Sequence, residues 1–231
     1  MTIGLLQCDH VADEFVGIAG DYDAMFQRWL PADWRVYDLP AGQFPALDPY
    51  DACDAWVTTG SHESVYDDVA WVHRFAELVR QIHAAGVPFL GVCFGHQMMG
   101  HALGGRVSKS ERGWGIGVHE FEIRAREAWM SPPLDTVSVL MSCQDQVDVV
   151  PPGAVVLASN AHCPVAMFRC GKMLGIQGHP EWEQEYAAAL LGRRRDRIGA
   201  DCVDSALAGI TRPRNSAELS EWAKRWLTRI G

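Results

Sequence analysis

Gly91-Val92-Cys93-Phe94-Gly95-His96-Gln97 stands where the pattern of the chain changes. Residues 87–92 are almost purely apolar and read as a buried strand, and residues 94–103 read as a helix. A cysteine therefore occupies the turn between them. In open α/β sheets such a turn projects from the carboxyl edge, where ligands bind. The exposed N–H groups at a helix N-terminus, together with the positive end of its dipole, favour a thiolate there. Gly91 and Gly95 keep the turn uncrowded. The Phe94 N–H is placed to point at a reacting carbonyl as an oxyanion donor. The bland alternative is a buried, small, apolar cysteine.

Working outward, the N-terminal half alternates strands and helices. Residues 3–6 are a short apolar run. Tyr22, Met25, Phe26, Trp29 and Leu30 recur at helical spacing, and Pro31 stops them. Residues 34–38 and 55–58 are further strand candidates, the second running into Thr59-Gly60-Ser61. Trp71, Val72, Phe75, Leu78, Val79 and Ile82 form one helical face, with Gly86 at the C-cap position. This order predicts a parallel sheet covered on both faces. The middle differs: 118–123, 136–141, 154–158, 165–168 and 172–177 are short strands with few helices between them, an antiparallel or mixed extension. The end is helical again over 183–191, 200–208 and 217–230. In the last of these, Leu219, Trp222, Ala223, Trp226, Leu227 and Ile230 make a core-facing stripe. Pro132-Pro133 and Pro151-Pro152 punctuate loops, no repeat or linker intervenes, and residues 1–231 are read as a single domain.

Composition narrows the partners. The 231 residues are 48% hydrophobic and 21% charged, ordinary for a globular protein, with a net charge of −9. That charge argues against nucleic acid, whose phosphates need clustered cations. The dense basic run of Arg193, Arg194, Arg195 and Arg197 reads as a solvated helix face, a docking patch being the minority reading. No segment approaches a membrane span, and the N-terminus lacks the features of a secretory signal. Seven scattered cysteines without a CxxC pair fit a reducing, cytoplasmic setting rather than a disulfide framework or a zinc site. No metal or organic cofactor is implied.

A cysteine hydrolase also needs a base, and a group that orients the base. Gly178-His179-Pro180-Glu181 follows the strand at 172–177. Residues two apart in an extended segment face the same way, so His179 and Glu181 can lie side by side. Pro180 restricts the backbone between them. Taken alone this tetrapeptide is a weak signal, since a lone histidine is more often a satisfied polar residue.

Together the two motifs resemble the class I glutamine amidotransferases of the triad type, in the family's order and spacing. The resemblance extends to Thr58-Thr59-Gly60-Ser61, Ser64-Val65-Tyr66-Asp67-Asp68, Gly113-Trp114-Gly115-Ile116-Gly117 and Ser142-Cys143-Gln144-Asp145-Gln146-Val147. It covers nearly the whole chain and is nearest to stand-alone members similar to GMP synthase glutaminases. It implies a flavodoxin-like α/β fold, an open and mainly parallel sheet flanked by helices. It also implies cleavage of the γ-amide of glutamine. Carried over motif by motif, Cys93 is the nucleophile, His179 the base and acid, and Glu181 the orienting carboxylate. Gly60 and Phe94 supply the oxyanion N–H groups. Gln97 contacts the γ-glutamyl group, with a helix-face residue as the alternative. Gln144 and Asp145 contact its α-amino and α-carboxylate end, with turn chemistry as the alternative.

Two positions depart from the family pattern: Cys143 replaces the usual histidine, and His62 follows the oxyanion loop. Both fall near the pocket wall. The ammonia would pass to a separate synthetase, which would complete the site on docking, so the chain alone is expected to be weak on glutamine. The alternative within the same chemistry is a self-contained γ-glutamyl peptidase. A non-catalytic regulatory module is the alternative outside it. His96 and His101 lie five apart on the elbow helix and read as non-catalytic. Cys163 and Cys170 read as packing residues. Cys8-Asp9-His10 has no helix directly after it to make a second nucleophile.

Overall fold

The parallel half of the sheet carries the elbow. The computed structural model describes residues 1–46 and 53–228. Its first half comprises β1 (Thr2–Gln7), α1 (Asp13–Ala19), α2 (Tyr22–Trp29), β2 (Asp33–Asp38), β3 (Ala55–Thr58), α3 (Ala70–Ala85), β4 (Phe89–Val92) and α4 (Phe94–Ala102). The strands β5 (Arg106–Lys109), β6 (Gly115–Ile123), β7 (Thr136–Cys143), β8 (Asp145–Val149), β9 (Val155–Ser159), β10 (Met167–Cys170) and β11 (Met173–Ile176) follow. The chain then turns helical: α5 (Gln184–Arg193), α6 (Arg195–Ile198), α7 (Ala200–Ala208) and α8 (Ser216–Leu227). Residues 229–231, with Ile230 of the C-terminal stripe, lie outside the described residues.

The main sheet has the order β2-β1-β3-β4-β11-β10-β9-β6-β7. From β2 to β11 the pairing is parallel, and beyond β11 it is antiparallel. This is the flavodoxin-like strand order with an antiparallel extension on one edge. Alternation along the strands divides the core. Ile3, Leu5, Val57, Leu90, Val92, Leu174 and Ile176 pack with α2 and α8 on one face. Leu6, Trp56, Phe89 and Met173 pack with α3 and α4 on the other. A third cluster joins Tyr22 and Met25 to Trp182, Tyr186 and Leu190 of the C-terminal region. Gly86 takes the left-handed conformation at the end of α3, φ 65° and ψ 29°, as its C-cap position predicts.

Three short elements carry too little pattern to be read from the sequence. Of α1, only Ala19 is buried, and Val16 and Ile18 are exposed, so no apolar stripe marks it. β5 and β8 pair only with each other and mix charged with apolar residues. Asp145 consequently opens a strand rather than sitting in a turn. β10 begins at Met167 and not at residue 165, and its ladder to β9 is bulged between Met167 and Phe168. No helix among the described residues is long and apolar enough to cross a membrane.

Candidate active site

β1, β3, β4 and β11 point the same way, so the segments after their carboxyl ends meet at one edge. Cys93 follows β4, and its backbone, φ 49° and ψ −99°, is left-handed. It is the only non-glycine residue with positive φ among those described. This is the strained geometry of a nucleophile elbow. The neighbouring glycines are obligatory. A Cβ on Gly95 would stand 1.6 Å from Thr58 Oγ1, and one on Gly91 would stand 2.5 Å from the Gly95 carbonyl carbon. The Cys93 N–H donates to Ile176 O at 2.8 Å, which fixes the elbow to β11.

β11 then delivers the second half of the site. The His179 N–H donates to Leu140 O at 2.7 Å, and its Nδ1 lies 2.8 Å from Glu181 Oε1. Both side chains are buried. The imidazole stacks on Trp182, with ring centroids 3.6 Å apart and planes 10° from parallel. Gly178 lets this segment approach β7, since a Cβ there would sit 2.4 Å from Val139 Cγ1. The other imidazole edge is turned towards Cys93, whose charge acts on it. Gly60 comes close from β3: a Cβ on it would lie 2.8 Å from His179 Cε1 and 3.6 Å from Cys93 Cβ. The structure thus brings Cys93, His179, Glu181, Gly60 and Phe94 together.

The electrostatics favour a thiolate facing an imidazolium. Cys93 is held well below an ordinary thiol, first by a hydrogen bond from the Cys143 thiol and then by the His179 charge, which together overcome burial. Cys143 itself is pushed well up, by its bond to Cys93 and by burial, so it keeps its proton and donates. Burial pulls His179 down, yet the Cys93 thiolate and Glu181 raise it to about 9. The ion pair therefore exists above the titration of Cys93 and below that of His179, and the two limbs belong to the pair. We expect kcat/KM to be bell-shaped in pH with an alkaline limb near 9, where the imidazolium loses the proton it must give to the leaving group. Glu181→Gln removes a charge that raises His179, so the limb should move to lower pH. A limb that stays in place in the variant would exclude this role for Glu181.

The remaining predicted residues surround the same cavity of about 70 Å³, which Cys93, Gln97, Cys143, Gln144 and Asp145 help to line. Gln97 donates to Asp145 O at 2.8 Å and to Gln177 Oε1 at 3.3 Å, so it is a pocket residue and not a solvent-facing helix position. The Asp145 carboxylate accepts from Ser64 Oγ and, at 3.0 Å, from Tyr66. His62 is engaged by Asp9, with Nδ1 2.8 Å from Oδ2. His96 is buried edge-on against Phe168, and burial lowers it to about 4, which keeps it neutral. Cys8, Cys163 and Cys170 are buried. Among the described residues no cluster of His, Cys, Asp and Glu could hold a metal ion.

The family model for class I glutamine amidotransferases matches residues 47–191. The chain belongs to the class I glutamine amidotransferase family. Among curated relatives, γ-glutamyl peptidase 3 of Arabidopsis thaliana is 29% identical over 167 residues, 69% of this chain and 67% of that protein. The glutamine-hydrolysing GMP synthase of Thermomicrobium roseum is 34% identical over 179 residues, 66% of this chain but only 33% of that protein. Among solved structures, a glutamine amidotransferase from Thermotoga maritima superposes with a TM-score of 0.74 at 21% identity, covering 97% of this chain and 96% of its own.

Within this amidotransferase Gln177, which touches Cys93, and the cavity-lining Lys109, Arg194 and Arg197 were given no site role by the sequence. Gln177 donates to Cys93 Sγ at 3.7 Å; its signal was a polar side chain ending an otherwise apolar strand. Arg194 and Arg197 also line the cavity. A run of arginines on a helix has no internal mark to say which of them turn inward.

Proposed function

We propose that this amidotransferase hydrolyses the γ-amide bond of γ-glutamyl compounds through a Cys93 thioester. The observation that carries the reading is the buried Cys93–His179–Glu181 line at the end of β4 and β11, with its thiolate–imidazolium polarity. The thiolate attacks the γ-carbonyl carbon. The N–H groups of Gly60 and Phe94 receive the oxyanion. His179 hands its proton to the departing nitrogen as the C–N bond breaks. It then takes a proton from water, which attacks the thioester and releases glutamate and the free thiolate. Glu181 holds the imidazole in register throughout. Gln97, Gln144 and Asp145 surround the γ-glutamyl group.

The structure favours a self-contained hydrolase over an ammonia donor that waits for its synthetase. The segment carrying Gly60 packs directly against His179, where a Cβ on Gly60 would lie 2.8 Å from His179 Cε1. The cavity also shares His62, Arg194 and Arg197 with an adjoining cleft of about 310 Å³, room that ammonia does not need. We expect the purified chain alone to turn over a γ-glutamyl dipeptide with a kcat/KM at least about tenfold above that on glutamine. Steady-state release of glutamate from both substrates decides it. Efficient turnover of neither would return the chain to the partner-dependent reading, in which glutamine is cleaved only beside a synthetase.

A further inference from the structure

The four arginines at the end of α5 and in α6 divide by what they meet. Arg193 pairs with Glu14 at 2.8 Å, and Arg195 pairs with Asp204. Arg194 and Arg197 instead line both the Cys93 cavity and the adjoining cleft, and neither forms an ion pair among the described residues. Arg194 is half-buried and donates to Ser142 Oγ at 2.8 Å, one residue from Cys143. The Arg197 guanidinium lies 5.1 Å from the centre of the Trp114 ring. Lys109 lines the Cys93 cavity beside them.

The carboxylates in these walls are committed elsewhere. Asp9 holds His62 Nδ1 at 2.8 Å, Glu63 lies 3.5 Å from His62 Nε2, and Asp145 takes the hydroxyls of Ser64 and Tyr66. Two guanidinium groups therefore border both cavity and cleft without a carboxylate paired to them among the described residues, Arg194 also adding its positive charge to the surroundings of Cys93. A planar fork of donors at such a place matches a carboxylate. The cleft beyond is walled in part by Phe15, Tyr22, Tyr186 and Leu190, which offer apolar surface to a side chain.

We propose that this cleft is the leaving-group subsite, and that Arg194 and Arg197 bind a carboxylate on the amine half of the substrate. The preferred substrates are then γ-glutamyl amino acids and short γ-glutamyl peptides. Water and γ-glutamyl–NH–R give glutamate and H₂N–R, with the carboxylate carried on R. This rests on the γ-glutamyl hydrolase reading above and adds to it what the departing amine must bear.

The test compares γ-glutamyl-glycine, γ-glutamyl-glycinamide and glutamine, which share the γ-glutamyl half and differ in the leaving group. In the unaltered protein kcat/KM should favour the glycine acid over its amide by about tenfold or more, the scale of a charge-assisted hydrogen bond. In Arg197→Gln, and separately in Arg194→Gln, that acid-to-amide ratio should fall towards one. Cys93→Ala protein titrated calorimetrically with the same pair should bind the acid more tightly, a readout free of turnover. A ratio near one in the unaltered protein overturns the subsite and leaves γ-glutamyl hydrolysis standing. Equal losses on all three substrates in both arginine variants also overturn it, because the guanidinium groups would then be holding the α-carboxylate of the glutamyl half. No hydrolysis of any of the three removes the parent reading and the subsite with it.

Discussion

Cys93→Ala is expected to yield a folded protein that releases no glutamate above background. The sulfur is the only atom deleted, and the elbow around it is built by other residues. The Gly91 and Gly95 contacts, the Cys93 N–H bond to Ile176 and the Gln97 N–H bond to Cys93 O all involve the backbone or neighbouring side chains and survive the change. The thermal transition should therefore stay close to that of the unaltered protein. The rate should not. Removing a nucleophile from a concerted triad typically costs about 10⁴-fold or more, because the remaining groups have no bond to form with the substrate. Cys93→Ser is expected to be nearly as poor, since the Cys143 bond and the His179 charge that hold a thiolate here face a hydroxyl with a far higher pKa. The measurement is glutamate release from the better of glutamine and a γ-glutamyl dipeptide, alongside a melting curve. Retained activity in the alanine variant would remove the central claim about Cys93.

His179→Ala should cost nearly as much as loss of the cysteine, and more than Glu181→Gln. In the proposed mechanism His179 moves protons in both half-reactions, and its charge helps to hold Cys93 as thiolate, so one deletion removes three contributions. Glu181 acts through His179 alone, by the 2.8 Å contact at Nδ1. The imidazole keeps further supports in Glu181→Gln: the backbone bond to Leu140 and the stack on Trp182 remain. General acid–base groups typically contribute about 10²–10⁴-fold, and the positioning carboxylate should fall below the base it serves. The two losses are to be measured in one assay on protein shown to be folded. A greater loss for Glu181→Gln would reverse the assigned roles.

Legibility varied with how local each signal was. The elbow could be read because an apolar strand, a cysteine between glycines and a helix are adjacent in the chain. His179 and Glu181 could be paired because period-two geometry acts over three residues. The α3 helix and its Gly86 cap could be read for the same reason. The strand pair of β5 and β8 could not, because Arg106–Lys109 and Asp145–Val149 are short and largely polar and gain their order from each other and from α4, against which Val107 and Val147 pack. The Cys143 substitution was visible as a departure. Its consequence, a thiol donating to the nucleophile, depends on β7 and β4 approaching from opposite halves of the sheet.

By itself the sequence determined the fold class, the parallel half of the sheet and the identity of the three residues set in line at its edge. The first two follow from hydrophobic periodicity, which operates over a few neighbouring residues, and the three residues stand out through the resemblance of their two motifs to the class I glutamine amidotransferases. Only the tertiary structure decided how the pocket is completed. Gln97 turned out to be tied to Asp145 and Gln177, Gly60 to be seated against His179, and two arginines of one basic run to face the cavity while their neighbours pair with Glu14 and Asp204. The physical reason is that a guanidinium is equally content in water or beside an anion. Nothing in an isolated run of arginines selects between the two. The choice is made by the acids and cavities that distant segments bring to each side chain.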